Sequence, residues 1–295
     1  MSLEIDHLSK QYGSVRALDG VTFTVRPGEV YGFVGSNGAG KSTTMRIAVG
    51  VLAADSGTVR IAGHPVDAET RRRIGYMPEE RGLYPKMKVG EQLRYLARLH
   101  GFSAASAARA AETWTDRLGV GSRREDTVDA LSLGNQQRVQ LAAALVHSPD
   151  VLILDEPFSG LDPVAVDVMS DVLREKAREG VPVLFSSHQL DLVQRLCDRV
   201  GIITHGALRA EGTVADLRAT GAAHLTVATD APSGWADRVP GVVHADYRPG
   251  RTVLTLADGT DTQPILHAAL AYGPVREFAS ARPDLTELFR EVVSA

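Results

Sequence analysis

The chain has 295 residues, 44% of them hydrophobic, enough to bury a globular core in one large domain or in two unequal ones. Its formal net charge of -4 and pI near 6.1 supply no overall basic field, so no nucleic-acid partner is expected. No run approaches the roughly 20 apolar residues that cross a bilayer, and Cys197, the single cysteine, excludes a disulfide within the chain and reads as a small apolar filler.

Met1-Ser2-Leu3-Glu4-Ile5-Asp6 lacks the basic start and apolar core of a signal peptide, which predicts a cytoplasmic location. Segments rich in β-branched and aromatic residues between Leu3 and Val25 predict an antiparallel β layer, closed by the turn Arg26-Pro27-Gly28-Glu29. The apolar run Val30-Tyr31-Gly32-Phe33-Val34 then leads into Gly35-Ser36-Asn37-Gly38-Ala39-Gly40-Lys41-Ser42-Thr43, with helix-compatible residues after it. This is a phosphate-binding loop. Its glycines let successive amides turn toward phosphate oxygens, and the helix presents its positive end to the same anion. Lys41 can reach the β and γ phosphates, and the Ser42 hydroxyl is placed to ligate Mg2+.

From about Val89 to His147 the pattern becomes helical, with helices expected over Glu91 to Leu99 and Ala104 to Leu118. Val151-Leu152-Ile153-Leu154 and Val181-Pro182-Val183-Leu184-Phe185 are short apolar runs separated by a helix-length segment, Val164 to Arg178, as in buried parallel strands. Asp155 and Glu156 fall at the carboxyl end of the first of these strands, where ligands of open α/β sheets collect. Asp155 is expected to face Mg2+ and Glu156 to handle the attacking water. After Leu217-Arg218-Ala219-Thr220-Gly221, Pro/Gly punctuation marks a smaller second domain. Strands are predicted at Leu225 to Thr229, Val242 to Tyr247 and Thr252 to Leu256, with helices at Thr262 to Tyr272 and Asp284 to Val293. The last has Pro283 before it and Glu287 in a capping position.

Between the phosphate loop and the Asp-Glu strand lies Leu131-Ser132-Leu133-Gly134-Asn135-Gln136-Gln137-Arg138-Val139, and with it the chain resembles the ATP-binding-cassette (ABC) family over about residues 2 to 220. The resemblance implies an α/β P-loop NTPase core with an antiparallel β layer and a helical subdomain at about residues 85–148, followed by a small α+β domain at 221–295. In that family an LSGGQ-like signature contacts the nucleotide of the opposite subunit, a role that would fall here to Ser132, Gly134, Asn135 and Gln136. Leu133 replaces the first glycine and Asn135 the glutamine.

The resemblance extends to Ser159-Gly160-Leu161-Asp162 as the D loop, His188 as the switch histidine and Tyr12 as the aromatic that stacks on adenine. It also extends to Ile74-Gly75-Tyr76-Met77-Pro78-Glu79-Glu80, where Glu79 stands in place of the Q-loop glutamine. A carboxylate there can bind Mg2+ but adds negative charge beside the phosphates. The resemblance implies a Mg2+-dependent ATPase working as a head-to-tail pair of nucleotide-binding subunits on a separate transmembrane permease, at the inner face of the cell membrane. The loop sequences are similar to the drug- or sodium-exporter subgroup. A soluble cassette acting on ribosomes or DNA is the rival, and it would carry paired cassettes or long insertions that this sequence does not show. A nucleotide switch without turnover is disfavoured by Asp155, Glu156 and His188, and a GTPase by the lack of a guanine-reading motif.

Overall fold

The computed structural model describes residues 1–80, 82–220, 223–257, 259–281, 285–286 and 288–289. The chain forms two compact units, Met1–Gly212 and Thr213–Ala295.

The first unit begins with β1 (Leu3–Tyr12) and β2 (Val15–Val25), paired antiparallel, with apolar residues alternating into the core as half-buried strands require. Then come β3 (Val30–Val34), buried at every position, and α1 (Lys41–Ala48). β4 (Ser56–Ile61) and β5 (His64–Pro65) extend the first layer to the order β2-β1-β4-β5. A single helical turn, α2 (Ala68–Arg71), precedes β6 (Ile74–Met77).

The helical insertion comprises α3 (Val89–Leu99), α4 (Ala104–Arg117) and α5 (Leu133–Leu145). Serines start two of these helices. The Ser103 hydroxyl accepts the Ser106 amide, and Ser132 does the same for Asn135. Trp114 of α4 is buried between the Arg117 guanidinium, 4.9 Å from the ring centroid, and the Lys176 ammonium at 5.1 Å, while Arg117 also pairs with Glu175. Those contacts seat the insertion on the core.

The chain returns through β7 (Val151–Leu154), α6 (Pro163–Arg178), β8 (Val183–Ser187), α7 (Leu190–Leu196), β9 (Arg199–Thr204) and β10 (Ala207–Thr213). α6 is capped by Asp162, whose carboxylate accepts the Ala165 amide, with Pro163 in its first turn. The central sheet has the order β10-β9-β3-β8-β7-β6, and its pairs β9–β3, β3–β8, β8–β7 and β7–β6 are parallel. Near-continuous apolar strands follow from burial on both faces. Cys197 packs against Gly32, where an added Cβ would come within 2.7 Å of the sulfur. Burial of the sulfur, and then the Asp198 charge, push the Cys197 thiol well up.

The second unit starts with α8 (Val214–Thr220), followed by β11 (Ala223–Ala228), β12 (Val242–Arg248), β13 (Arg251–Leu256), α9 (Gln263–Leu270) and β14 (Glu277–Ala281). Its antiparallel sheet has the order β12-β13-β11-β14, in which β13 and β14, joined through α9, are separated by β11 as in a split β-α-β arrangement. Leu225, Val227, Leu254, Leu256, Ile265 and Ala269 form its core with Trp235, whose indole N–H donates to Thr252 Oγ1 at 3.0 Å.

Two features differ from the sequence expectation. The compact units divide at Gly212/Thr213 rather than at 220/221, because α8 groups with the second. β14 was not anticipated, since Glu277-Phe278-Ala279-Ser280-Ala281 carries too few β-branched residues to announce a strand and is fixed by its pairing with β11. The proposed capping residues Pro283, Asp284 and Glu287 lie outside the described residues. Of the described residues in that segment, Leu285 and Leu288 are buried.

Candidate active site

The parallel register aligns the carboxyl ends of four strands. Val34 lies opposite Ser187, and Leu154 opposite both Phe185 and Met77, so the phosphate loop, Asp155, His188 and Pro78 all emerge along one edge. Over this edge lies a cleft of about 370 Å3, lined by Ala17, Ser36, Asn37, Gly38, Gly40, Lys41, Ser42, Thr43, Glu79 and Glu156.

Gly40 makes the loop possible. Its φ is +109°, and an added Cβ would meet the Ala17 carbonyl and Leu18 Cδ2, each at 2.7 Å. No side chain caps α1, so its first amides are directed at the cleft, where an anion can take them. Lys41 and Glu156 are each 7% exposed. The Lys41 ammonium donates to the Gly35 carbonyl at 2.7 Å and the Ser36 carbonyl at 3.3 Å, and lies 3.8 Å from Glu156 Oε1. It bridges the loop and the carboxylate.

Glu156 sits at φ +50°, an uncommon conformation for a non-glycine residue, and is held from every side. Its amide donates to Ser186 Oγ at 2.8 Å, and its carbonyl accepts from Ser159 N and from Gln137 Nε2, both at 3.2 Å. Its carboxylate meets His188 Nδ1 at 3.0 Å. Asp155 is buried, and its Oδ1 accepts from Ser186 Oγ at 2.6 Å. One hydroxyl therefore ties the two carboxylate residues together. Burial, then the Asp155 charge, push the neighbouring Tyr76 phenol up.

Ser42 Oγ lies 3.5 Å from Glu79 Oε2, at the limit of a hydrogen bond. Among the described residues no three His, Cys, Asp or Glu side chains converge into an all-protein metal cage. A hydroxyl with one or two carboxylates and no sulfur or imidazole is a hard oxygen donor set, which fits Mg2+ completed by phosphate oxygens and water.

The other sequence-predicted residues lie apart from the cleft lining. Tyr12 ends β1 with its ring 49% exposed and the Lys10 ammonium 5.7 Å from its centroid. Ser132 caps α5, and Gly134 lies beside Leu161. Gln136 follows in the same segment. It is buried, and its amide donates to the Val128 and Leu131 carbonyls at 3.0 Å each, holding the approach to the helix. Asp162 is used as the α6 cap. Sequence reasoning missed Ser186, Gln137 and Gln140. Their only signals were a polar residue two positions before His188 and amide side chains repeated along a helix that is otherwise mostly apolar or small.

Comparison with known proteins bears on this geometry. The profile of the family described as ABC transporter matches residues 18–159, and that described as ATP-binding protein DrrA1-3-like, C-terminal domain, matches residues 212–293. The uncharacterized ABC transporter ATP-binding protein YhaQ of Bacillus subtilis (strain 168) is 37% identical over 99% of each chain. Nod factor export ATP-binding protein I of Paraburkholderia xenovorans (strain LB400) is 35% identical, over 91% of this chain and 89% of its own. A solved structure described as an ATP binding subunit of ABC transporter superposes with a TM-score of 0.69 at 33% identity, over 74% of this chain and 92% of the other. The chain therefore belongs to the ABC transporter family as one of its ATP-binding, ATP-hydrolysing subunits.

Proposed function

We propose that ATP binds over the phosphate loop, that Glu156 orients or deprotonates the attacking water, and that His188 hydrogen-bonds the γ-phosphate while bracing Glu156. The observation that carries this reading is the line formed by Lys41, Glu156 and His188, with separations of 3.8 Å and 3.0 Å at the carboxyl edge of the sheet. The amides of Gly35, Ser36, Asn37, Gly38, Gly40 and Thr43 cradle the phosphates, Ala39 shapes the loop by donating its amide to the Ser36 carbonyl, and Tyr12 stacks on adenine. Ser42, Glu79 and Asp155 hold Mg2+, which when bound neutralises phosphate charge.

Subunits of this family dimerise and work with a membrane-spanning partner. In this protein the second nucleotide-binding subunit is a second copy of the chain. Ser132, Gly134 and Asn135 present hydroxyl, amide and side-chain donors to its ATP, Gln136 supports them from behind, and Asp162 fixes the end of the D loop at the interface. The first unit is the nucleotide-binding domain, and the second is an accessory module that regulates it or supports dimerisation. No described helix is long and apolar enough to cross a membrane. Transport runs through a separate permease, with the subunit on the inner face of the cell membrane. Export is the direction supported by the Nod factor export relative.

Glu156→Gln tests the reading. It keeps shape but removes the base, so ATP binding is expected to persist, an ATP-bound dimer to accumulate, and phosphate release to fall about 10²–10⁴-fold. Release within threefold of the parent would reject Glu156 as the catalytic carboxylate.

A further inference from the structure

Gln140 lies in the interior of α5, 3% exposed, among apolar neighbours. Its amide nitrogen donates to the Pro78 carbonyl at 2.7 Å and to the Glu80 carbonyl at 3.3 Å. Those carbonyls bracket Glu79. A peptide group is planar, so fixing the Pro78 carbonyl fixes the plane that contains the Glu79 Cα, and the Glu80 carbonyl pins the chain on the other side. A primary amide is suited to this because it offers two N–H donors from one nitrogen. Glu79 in turn brings its carboxylate to 3.5 Å from Ser42 Oγ and lines the cleft.

Three positions earlier, Gln137 donates to the Glu156 carbonyl at 3.2 Å. Residues three apart share a helix face, so one face of α5 grips the two loops that carry the cleft carboxylates. The Gln137 bond is buried and the two Gln140 bonds are part-buried, so each grip is shielded from full competition by water.

We propose that Gln140 is a positioning residue for the metal edge of the site, holding Glu79 over the phosphate loop and so tying the signature helix to Mg2+ binding. The proposal rests on the reading of Glu79 as a metal-edge carboxylate. It predicts that changing Gln140 alters how strongly Mg2+ assists ATP binding while leaving metal-free ATP binding alone. A purely structural role would lower stability and leave that ratio unmoved.

The experiment is calorimetric titration of the full chain with ATP, with and without Mg2+, for the parent, Gln140→Met, Glu79→Ala and the double variant. Gln140→Met keeps length and packing, and Gln140→Leu replaces it if that variant does not fold. The Mg2+-dependent ratio of affinities is expected to shift about 2- to 10-fold in Gln140→Met, in the direction Glu79→Ala shifts it, with no further change in the double variant. A ratio unchanged in Gln140→Met but shifted in Glu79→Ala overturns the role of Gln140 alone. No shift in Glu79→Ala overturns the metal-edge reading and the proposal together. A Gln140→Met effect that persists in full without the Glu79 carboxylate shows that Gln140 acts elsewhere.

Discussion

Leu133 lies over Gly160: a Cβ added to the glycine, whose φ is +72°, would come within 3.0 Å of Leu133 Cδ2. Leu133 thus covers the Ser159-Gly160-Leu161-Asp162 loop of its own chain, though 44% of it remains exposed. Gly134 completes the fit, since its Cβ position lies 3.5 Å from Leu161 Cδ2.

Gly160→Ala is therefore expected to destabilise the protein by about 1–2 kcal/mol, from the positive φ and the contact with Leu133 together. Leu133→Ala relieves only the contact. Denaturant unfolding of the two single variants and the double is expected to show coupling of at least about 0.5 kcal/mol, and additivity within about 0.3 kcal/mol would mean that the two side chains do not meet.

Tyr12 stands exposed at the end of β1, with a cation near its ring and no role in the core. Tyr12→Ala is expected to weaken ATP binding by about 1–3 kcal/mol and to leave inorganic triphosphate binding unchanged. Direct titration with both ligands checks this, and equal ATP affinity would assign the base to another side chain.

A pH dependence follows from His147, whose ring stacks on His100 with centroids 3.9 Å apart. Burial first, and then the facing His100, bring its pKa down to about 4, while the Ile74 carbonyl acts the other way. An unfolded histidine titrates near 6.5. Between these values the unfolded chain binds a proton that the folded chain does not, so stability rises with pH across that window. The contribution is complete above about 6.5 and is lost as pH falls toward about 4. His147→Phe is expected to flatten the slope of unfolding free energy between pH 4.5 and 6.5 by up to about one proton. An unchanged slope would place the titration elsewhere.

The phosphate loop and the Asp155-Glu156 strand were legible because each is contiguous in sequence and its chemistry follows from local backbone geometry. The same holds for α6, announced by Asp162-Pro163. Ser186, Gln137 and Gln140 were not legible as site residues, since their importance arises from hydrogen bonds to carbonyls and carboxyls 19 to 62 positions away. Likewise β14 exists as a strand by virtue of its partner β11.

A chain ending at Gly212 is expected to keep ATP binding, because every residue lining the cleft precedes that point. Lost ATP binding in a fragment that remains folded would show that the second unit completes the site. An unchanged dimerisation constant by light scattering would remove dimer support from the roles proposed for that unit.

The chain has two tryptophans, and each compact unit holds one. Trp114 is wedged between cations of α4 and α6, whereas Trp235 is sealed in the smaller core with its N–H on Thr252. The protein consequently carries a built-in optical reporter for each unit. With Trp114→Phe, tryptophan emission, excited beyond the tyrosine band, comes from the second unit alone; with Trp235→Phe, it comes only from the helical insertion of the first. A single denaturation series on the two variants can thus reveal whether the units melt in one step or in succession, with no label attached.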